Sequence, residues 1–333
     1  MIKYHLLFEE DRIMESTRTG ILTVIIPAYN ESENILTAAD TVSGILRDAG
    51  ISYKLLFIDD GSSDDTWKQI QLASERNPHV AGLHFSRNFG KEGAIAAGLC
   101  NAKTDCVAVM DCDLQHPPKK LVEMYRLWQS GFEVIEGIKT DRGKESALHR
   151  FASHGFYRII SKLSDLELEN TSDFKLLDKK VVRIIRDMPE RNVFFRATTF
   201  WVGFRHTTVS YEVQERIAGT SKWSGGKLIQ YALNNIASFS STPMKMVLYL
   251  GIFMLLFSLV FGVIAFVQKI MGTALSGFTT VILLQVFIGA VMIISIGTIG
   301  FYIARIYTEI QGRPRFIISD SCGEDEDEYT AVG

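Results

Sequence analysis

What the chain lacks narrows it first. It has four cysteines (Cys100, Cys106, Cys112 and Cys322), with no CxxC pair and no accompanying His cluster. That argues against structural zinc and predicts reduced thiols in a cytosolic compartment. The N-terminal MIKYHLLFEEDRIMESTRTG has charges throughout and no apolar core, so it does not read as a signal peptide. Met14 is an alternative start, because the first strand pattern begins only near Ile21. There is no GxxxxGKS or GxxxxGKT, which excludes a P-loop, and no GxGxxG after the first strand, which argues against a dinucleotide site. Phosphates bound here must be held by a metal and by cations instead.

Charge is missing from two long stretches. Residues 246–267 run for 22 residues without one, and 270–304 for 35 more. About 20 apolar residues cross a bilayer, and a buried core helix rarely reaches such length and purity. Gly272, Ser276 and Gly277 open the second run, so its helix is expected to begin near Phe278. No acid or base inside either span argues against ion or proton transport. Two helices alone do not make a solute pathway, so a flippase is excluded unless a partner supplies the pore. Lys222, Lys227 and Lys245 precede the first span, Arg305, Arg313 and Arg315 follow the second, and Lys269 lies between. The positive-inside rule then predicts a multi-pass hairpin in the cell (inner or plasma) membrane, with the N-terminal domain and the tail cytoplasmic.

The net charge of −3 hides a split. Residues 319–333 hold Asp320, Glu324, Asp325, Glu326, Asp327 and Glu328 and no base, leaving +3 on residues 1–318. The tail is expected to be disordered. The mild basicity suits work near anionic lipid and phosphate, and equally suits no particular partner; no nucleic-acid partner is expected.

Four short apolar runs, 21–26, 54–58, 80–85 and 106–110, each precede a helical pattern, at about 31–48, 64–76, 90–101 and 117–130. Near-continuous apolar strands alternating with helices predict an α/β fold, a mostly parallel sheet with helices on both faces. Ligands bind such sheets at the carboxyl ends of the strands. Those ends carry Pro27-Ala28-Tyr29-Asn30-Glu31, Asp59-Asp60-Gly61-Ser62, Ser86-Arg87-Asn88 and Asp111-Cys112-Asp113.

In an extended segment, Asp111, Asp113 and Gln115 share one face and offer oxygen ligands to Mg²⁺ or Mn²⁺. Arg216, Ser221 and Lys222, around Gly219 and before Trp223, supply cations for a diphosphate or, equally, a basic stretch that touches lipid headgroups. By pattern alone Asp173 reads as a helix cap before a 178–187 helix. Residues 145–163 and 226–240 have apolar residues at helical spacing among bases, as surface-lying membrane helices do; ordinary core packing is the other reading.

Six ordered motifs, TVIIPAYNESENI, FIDDGSSDDTW, FSRNFGKEGAIAAGL, MDCDLQHPP, TSDFKLLD and ERIAGTSKW, span about Leu22 to Arg315. Together they resemble the family 2 inverting glycosyltransferases of GT-A (Rossmann-like) fold. The likeness is to the dolichol-phosphate-mannose-synthase-like branch with two C-terminal membrane helices, of bactoprenol glucosyltransferase type.

The resemblance implies residue roles. Pro27, Tyr29, Glu31, Asp60 and Asp111 would bind the nucleotide. Asp111, Asp113 and Gln115 would hold the metal, with Asp113 counted as catalytic. Asp173 would be the catalytic carboxylate near the acceptor phosphate, and Arg87, Lys91, Arg216, Ser221 and Lys222 would bind phosphates. Cys112 departs from the family, where a small residue, often Ala, is usual. The implied reaction moves a hexose, glucose from UDP-glucose first, to undecaprenyl or another polyprenyl phosphate for envelope glycan modification. N-acetylglucosamine, galactose, an aminoarabinose derivative and mannose are the alternatives.

The expected layout is a flexible 1–20, a catalytic domain at 21–224, a juxtamembrane amphipathic helix at 225–245, spans within 246–304 and a tail at 305–333. A separate flippase and a downstream transferase would complete the route. The family's two-span anchors allow a homo-oligomer, a tetramer, although no decisive small-xxx-small interface marks one. A processive polysaccharide synthase is disfavoured by the missing QxxRW and the two spans, and a non-catalytic nucleotide-sugar scaffold by the intact carboxylates.

Overall fold

The computed structural model describes residues 18–139, 172–190, 194–212, 242–272, 277–323 and 329–330. The chain divides into two units. Met1–Arg158, Leu166–Lys222 and Pro314–Gly333 make the first, and Ile159–Asp165 with Trp223–Arg313 make the second.

The first unit is built on one eight-stranded sheet. Its parallel centre is β1 (Leu22–Ala28), β2 (Tyr53–Asp59), β3 (Val80–Phe85) and β4 (Cys106–Val109). Each is followed by a helix: α1 (Ile35–Asp48), α2 (Thr66–Arg76), α3 (Lys91–Asn101) and α4 (Lys119–Gln129). The flanking strands are β5 (Val134–Lys139), β6 (Lys175–Asp178), β7 (His206–Tyr211) and β8 (Ile318–Cys322), in the order β7-β5-β6-β4-β1-β2-β3-β8. β6 runs antiparallel to β4 and β5, and β8 antiparallel to β3. Helices α5 (Lys179–Asp187) and α6 (Phe195–Trp201) lie between β6 and β7.

The sheet is covered on both faces, as its apolar strands require. Leu22, Val24 and Ile26 of β1 join α1, α2 and α4 in one core. Ile25, between them, points the other way and joins α3 and α5. β1 lies between β2 and β4, so the sheet changes winding direction at its carboxyl end and opens a crevice there.

Two expectations need correction. β1 does not end with the 21–26 apolar run. It runs to Ala28, because β4 pairs with β1 only as far as Ile25 opposite Val109, and the missing proline N–H is not needed on that side. Nor is the tail disordered from Ser319. Ile318 packs on one core and Cys322 on the other, and β8 pairs with the otherwise open edge of β3. Phe316, fully buried, stacks on Phe85 at 5.8 Å and fixes the approach. Tyr329 packs against the second core, and the Thr330 amide donates to Asn101 Oδ1 at 2.6 Å. Long-range pairing overrides the weak local preference of Ser-Asp-Ser-Cys.

The described part of the second unit is two helices, α7 (Thr242–Ile270) and α8 (Phe278–Ile310). Val247–Ile270 and Phe287–Ile310 have mean hydropathies of 2.8 and 2.1, and neither is buried. Exposed Leu255, Leu259, Phe266, Ile293 and Ile296 would be untenable in water on this scale, so these helices are long and apolar enough to associate with and cross a membrane. Ser295, Thr298 and Thr308 donate their hydroxyls to the carbonyls of Val291, Ile294 and Ala304, which satisfies those three within their own helix.

Candidate active site

At the ends of β1 and β2 the loops are knitted by side-chain to backbone hydrogen bonds. The Asn30 amide donates to Ser62 Oγ at 2.9 Å, and Asn30 Oδ1 accepts from the Ser63 amide at 2.9 Å. Asn30 adopts φ +54°, a conformation its short polar side chain tolerates. The Glu31 amide donates to Thr66 Oγ1 at 2.9 Å, and Asn34 Nδ2 donates to Glu31 Oε2 at 2.6 Å. Asp64, just before the N-cap residue Asp65 of α2, accepts the Thr66 amide at 3.0 Å.

Asp59, fully buried, accepts from Ser62 and pairs with His84 Nδ1 at 2.7 Å. The Ser62 hydroxyl faces the carboxylate rather than the imidazole, so the three do not form a nucleophile relay. Asp60 accepts from the amides of Phe89 (2.6 Å) and Gly90 (2.9 Å), tying the loop after β3 to β2. Burial pushes its carboxyl up to about 6. Gly61 makes the close approach of those loops feasible. Its φ is +65°, and a Cβ there would lie 2.4 Å from the Arg87 carbonyl carbon.

The segment after β4 is a turn rather than the extended strand expected. Leu114 adopts φ +56°, and Asp113 Oδ1 accepts the Gln115 amide at 3.1 Å. Exposure still alternates: Cys112, Leu114 and His116 are buried, while Asp111, Asp113 and Gln115 are partly exposed. His116 pins the turn. Its Nδ1 accepts the Asp111 amide at 3.2 Å, and its ring stacks on Phe174 at 4.9 Å. Burial lowers its pKa, so the imidazole is neutral and its 3.9 Å approach to the Asp111 carboxylate is no ion pair. Two carboxylates and an amide on one side of a turn fit a divalent ion whose remaining ligands come from a phosphorylated ligand and water. Among the described residues, no three His, Cys, Asp or Glu form a closed metal cage.

Across the crevice, Asp173 is 6% exposed and takes two cations. Arg196 grips it with Nε at 2.6 Å and Nη2 at 2.9 Å, and Lys91 Nζ lies 2.8 Å away. Lys91 also reaches Asp111 Oδ1 at 2.5 Å, so one ammonium joins the two carboxylates. Burial works to raise the Asp173 carboxyl, but Lys91 and Arg196 together hold it far below the usual range. Burial also opposes ionisation of Asp111, and Lys91 again wins. The helix-cap reading of Asp173 fails: α5 is capped by Asp178, which accepts the Lys180 amide at 2.9 Å.

Thus Pro27, Tyr29, Glu31, Asp60, Arg87, Lys91, Asp111, Asp113 and Gln115 lie at or after the carboxyl ends of β1 to β4, and Asp173 precedes the antiparallel β6, whose start lies at the same edge. Arg87 is turned over the Phe89 ring, its guanidinium carbon 4.6 Å from the centroid. Arg216, Ser221 and Lys222 lie outside the described residues, as do residues 1–17, 145–163 and 226–240; of the juxtamembrane 225–245, only 242–245 are described, as the start of α7.

The sequence reading missed three residues. Arg196 lay unremarked in the apolar FFRATTFW. Glu92, half-buried and with its carboxyl pushed up to about 7, accepts the Phe195 amide at 3.0 Å. Lys175, 1% exposed, pairs with Glu136 at 3.2 Å across the β5–β6 register. A charge inside an apolar run is the one signal that could have found Arg196 and Lys175.

Comparison with known proteins adds independent findings. Residues 23–204 match the family model described as glycosyl transferase family 2. An uncharacterised glycosyltransferase of Synechocystis sp. is 34% identical over 91% of this chain and 96% of its own. The SfII prophage-derived bactoprenol glucosyl transferase of Shigella flexneri is 35% identical over 90% of this chain and 98% of its own. Among solved structures, glucosyl-3-phosphoglycerate synthase of Mycobacterium tuberculosis, in complex with Mn²⁺, UDP and glucosyl-3-phosphoglycerate, aligns over 66% of this chain and 78% of its own. It does so with a TM-score of 0.47 and 18% identity.

Proposed function

This chain is a glycosyltransferase belonging to glycosyl transferase family 2, and from that premise we propose that it transfers a hexose, glucose from UDP-glucose, to undecaprenyl or another polyprenyl phosphate with inversion. The observation that carries the reading is the Lys91–Asp111–Asp173–Arg196 cluster in a chain with two exposed helices of bilayer length. Joining a nucleotide diphosphate to a lipid phosphate brings two anions together, which requires cations between them and an anchor in the membrane. The relatives named bactoprenol glucosyl transferases support this acceptor and this sugar.

Pro27, Tyr29, Glu31 and Asp60 line the nucleotide side. Asp111, Asp113 and Gln115 would hold Mg²⁺ or Mn²⁺, which when bound offsets charge on the departing diphosphate. Arg87, Lys91, Arg216, Ser221 and Lys222 serve phosphates. A phosphate monoester has its second pKa near ~6, so the acceptor arrives mostly as the dianion. Its oxygen attacks the anomeric carbon as the bond to the nucleotide diphosphate breaks, and that electron pair leaves on the β-phosphate. Asp173, held ionised by two cations, is a poor proton acceptor. It therefore serves by fixing Lys91 and Arg196 where the anions meet, rather than as a general base. The catalytic unit and tail face the cytoplasm, and the hairpin spans the inner or plasma membrane. The product is passed to a flippase and a downstream transferase.

The test is transfer to undecaprenyl phosphate in detergent across radiolabelled nucleotide sugars, with Mg²⁺, Mn²⁺ or EDTA. A single labelled lipid from UDP-glucose that disappears with EDTA is the expected result. Label from N-acetylglucosamine, galactose, aminoarabinose or mannose donors alone would replace the sugar. No lipid product from a protein that binds UDP would overturn the acceptor.

A further inference from the structure

Helix α6 divides into two faces. Phe195, Ala197, Thr198 and Thr199 are buried, whereas Phe200 and Trp201 are 50% and 68% exposed. Arg196 and Phe200 are four residues apart, so they lie on one side of the helix about 6 Å apart along its axis. The Arg196 side of the helix thus runs from a guanidinium to the Phe200 ring, with Trp201 about 100° further round.

The helix is fixed at both ends of its first turn. Glu92 accepts the Phe195 amide at 3.0 Å. Buried Lys175 donates to the Arg196 carbonyl at 3.2 Å and to Thr199 Oγ1 at 2.7 Å. Two charged side chains are thus spent on orienting seven residues, which sets the Arg196 fork against Asp173. Lys91 touches the same carboxylate, and Lys139 lies within electrostatic reach of Arg196, Asp111 and Asp173. Lys91 and Arg196 thus converge on one carboxylate, where an arriving anion can compete for them. A guanidinium fork matches phosphate as well as it matches carboxylate.

We propose that α6 guides the lipid acceptor: Arg196, with Lys91, takes the phosphate, and Phe200 and Trp201 meet the first isoprenoid units of its chain. The assignment rests on the polyprenyl-phosphate reading above. It accounts for two large aromatics left in solvent one turn from the reacting centre, where a prenyl chain would cover apolar surface that water now meets.

The experiment uses the full chain in detergent with two acceptors: undecaprenyl phosphate, and methyl phosphate, which has the charge and no chain. Arg196→Gln is expected to lower kcat/KM about tenfold to a hundredfold for both acceptors while leaving the donor KM unchanged. Phe200→Ser with Trp201→Ser is expected to lower kcat/KM about threefold to tenfold for undecaprenyl phosphate alone. UDP titration calorimetry reports whether each variant keeps its fold. Should Arg196→Gln lose UDP binding, Arg196→Lys replaces it, keeping the charge without the fork and expected to lose part of the rate with both acceptors.

Arg196 variants that bind UDP and keep wild-type kcat/KM overturn the phosphate assignment. An aromatic double variant that slows both acceptors equally, or neither, overturns the chain assignment. A wild-type protein that binds UDP and transfers to neither acceptor overturns the polyprenyl-phosphate reading, and this inference with it.

Discussion

At the ends of β1 and β2 the crevice is held by amides, hydroxyls and short polar side chains: Asn30 to Ser62 and Ser63, Glu31 to Thr66, Asp60 to Phe89 and Gly90. At the end of β4 and before β6 it is held by opposite charges, Asp111 and Asp173 against Lys91 and Arg196. On the function proposed above, the first side is the one that would receive the base and ribose. The second is a set of charges already near balance, in which an arriving anion competes with a carboxylate for a cation. Rigidity resides on one side and exchangeable charge on the other.

The comparison breaks most sharply where the two sides meet. Asp113→Ala should lower transfer on the order of 10²–10³-fold and abolish its dependence on added metal, measured as labelled lipid formed per minute. On the charged side, Asp173→Asn leaves Lys91 and Arg196 without their shared partner. The expected loss is about 2–3 kcal/mol, below the ~3–5 of a fully buried pair because both cations are partly exposed. Denaturant unfolding of the solubilised protein checks it. On the neutral side, Gly61→Ala forces a side chain into left-handed backbone and against Arg87. It should cost at least the ~1–2 kcal/mol of the backbone conformation and weaken UDP binding in calorimetry.

The pH dependence sharpens the contrast. Glu92 titrates near 7 in the fold against 4.5 for the free side chain. The folded chain therefore keeps a proton that the unfolded chain has lost, and stability falls as pH rises from about 4.5 to 7. Asp60, raised to about 6, acts in the same direction from its free value of 3.8 upward. Asp111 and Asp173 act oppositely, stabilising above 3.8 and losing that contribution as pH drops below it. Glu92→Gln should flatten the upper part of the melting-temperature profile between pH 5 and 8, and leave the share due to Asp60. The smallest effect is expected at the β8 edge: Trp67→Phe removes the 3.0 Å bond from the indole to Asp320 and should cost about 1 kcal/mol in thermal melting.

The alternating half of the fold was legible because its information is local. ILTVII and KLLFI announce buried strands wherever they occur, and the charge-free runs announce bilayer-length helices. β6, β7 and β8 (KLLD, HTTVSY and ISDSC) carry no such pattern. Their pairing is decided by neighbours far along the chain, as Cys322 opposite Gly82 shows. The site divides the same way. Carboxylates that follow strands could be read from position. The contact of Glu92 with Phe195 joins residues 103 apart and leaves no trace in either neighbourhood. Burial of Lys175 follows from the register of β5 with β6, which local periodicity does not specify.

The eighth strand also has a consequence for the order in which this protein comes into being. The first seven strands have been synthesised by Tyr211, yet the strand that closes the β3 edge begins at Ile318. At ~5–20 residues per second, those intervening residues take about 5–20 s to emerge. For that interval the nascent sheet exposes a row of unpaired amides and carbonyls beside Phe85, whose stacking partner Phe316 has not yet been made. The last few per cent of the chain thus act as a late lock, and a ribosome that stalls within the apolar hairpin leaves behind a catalytic sheet with an adhesive edge.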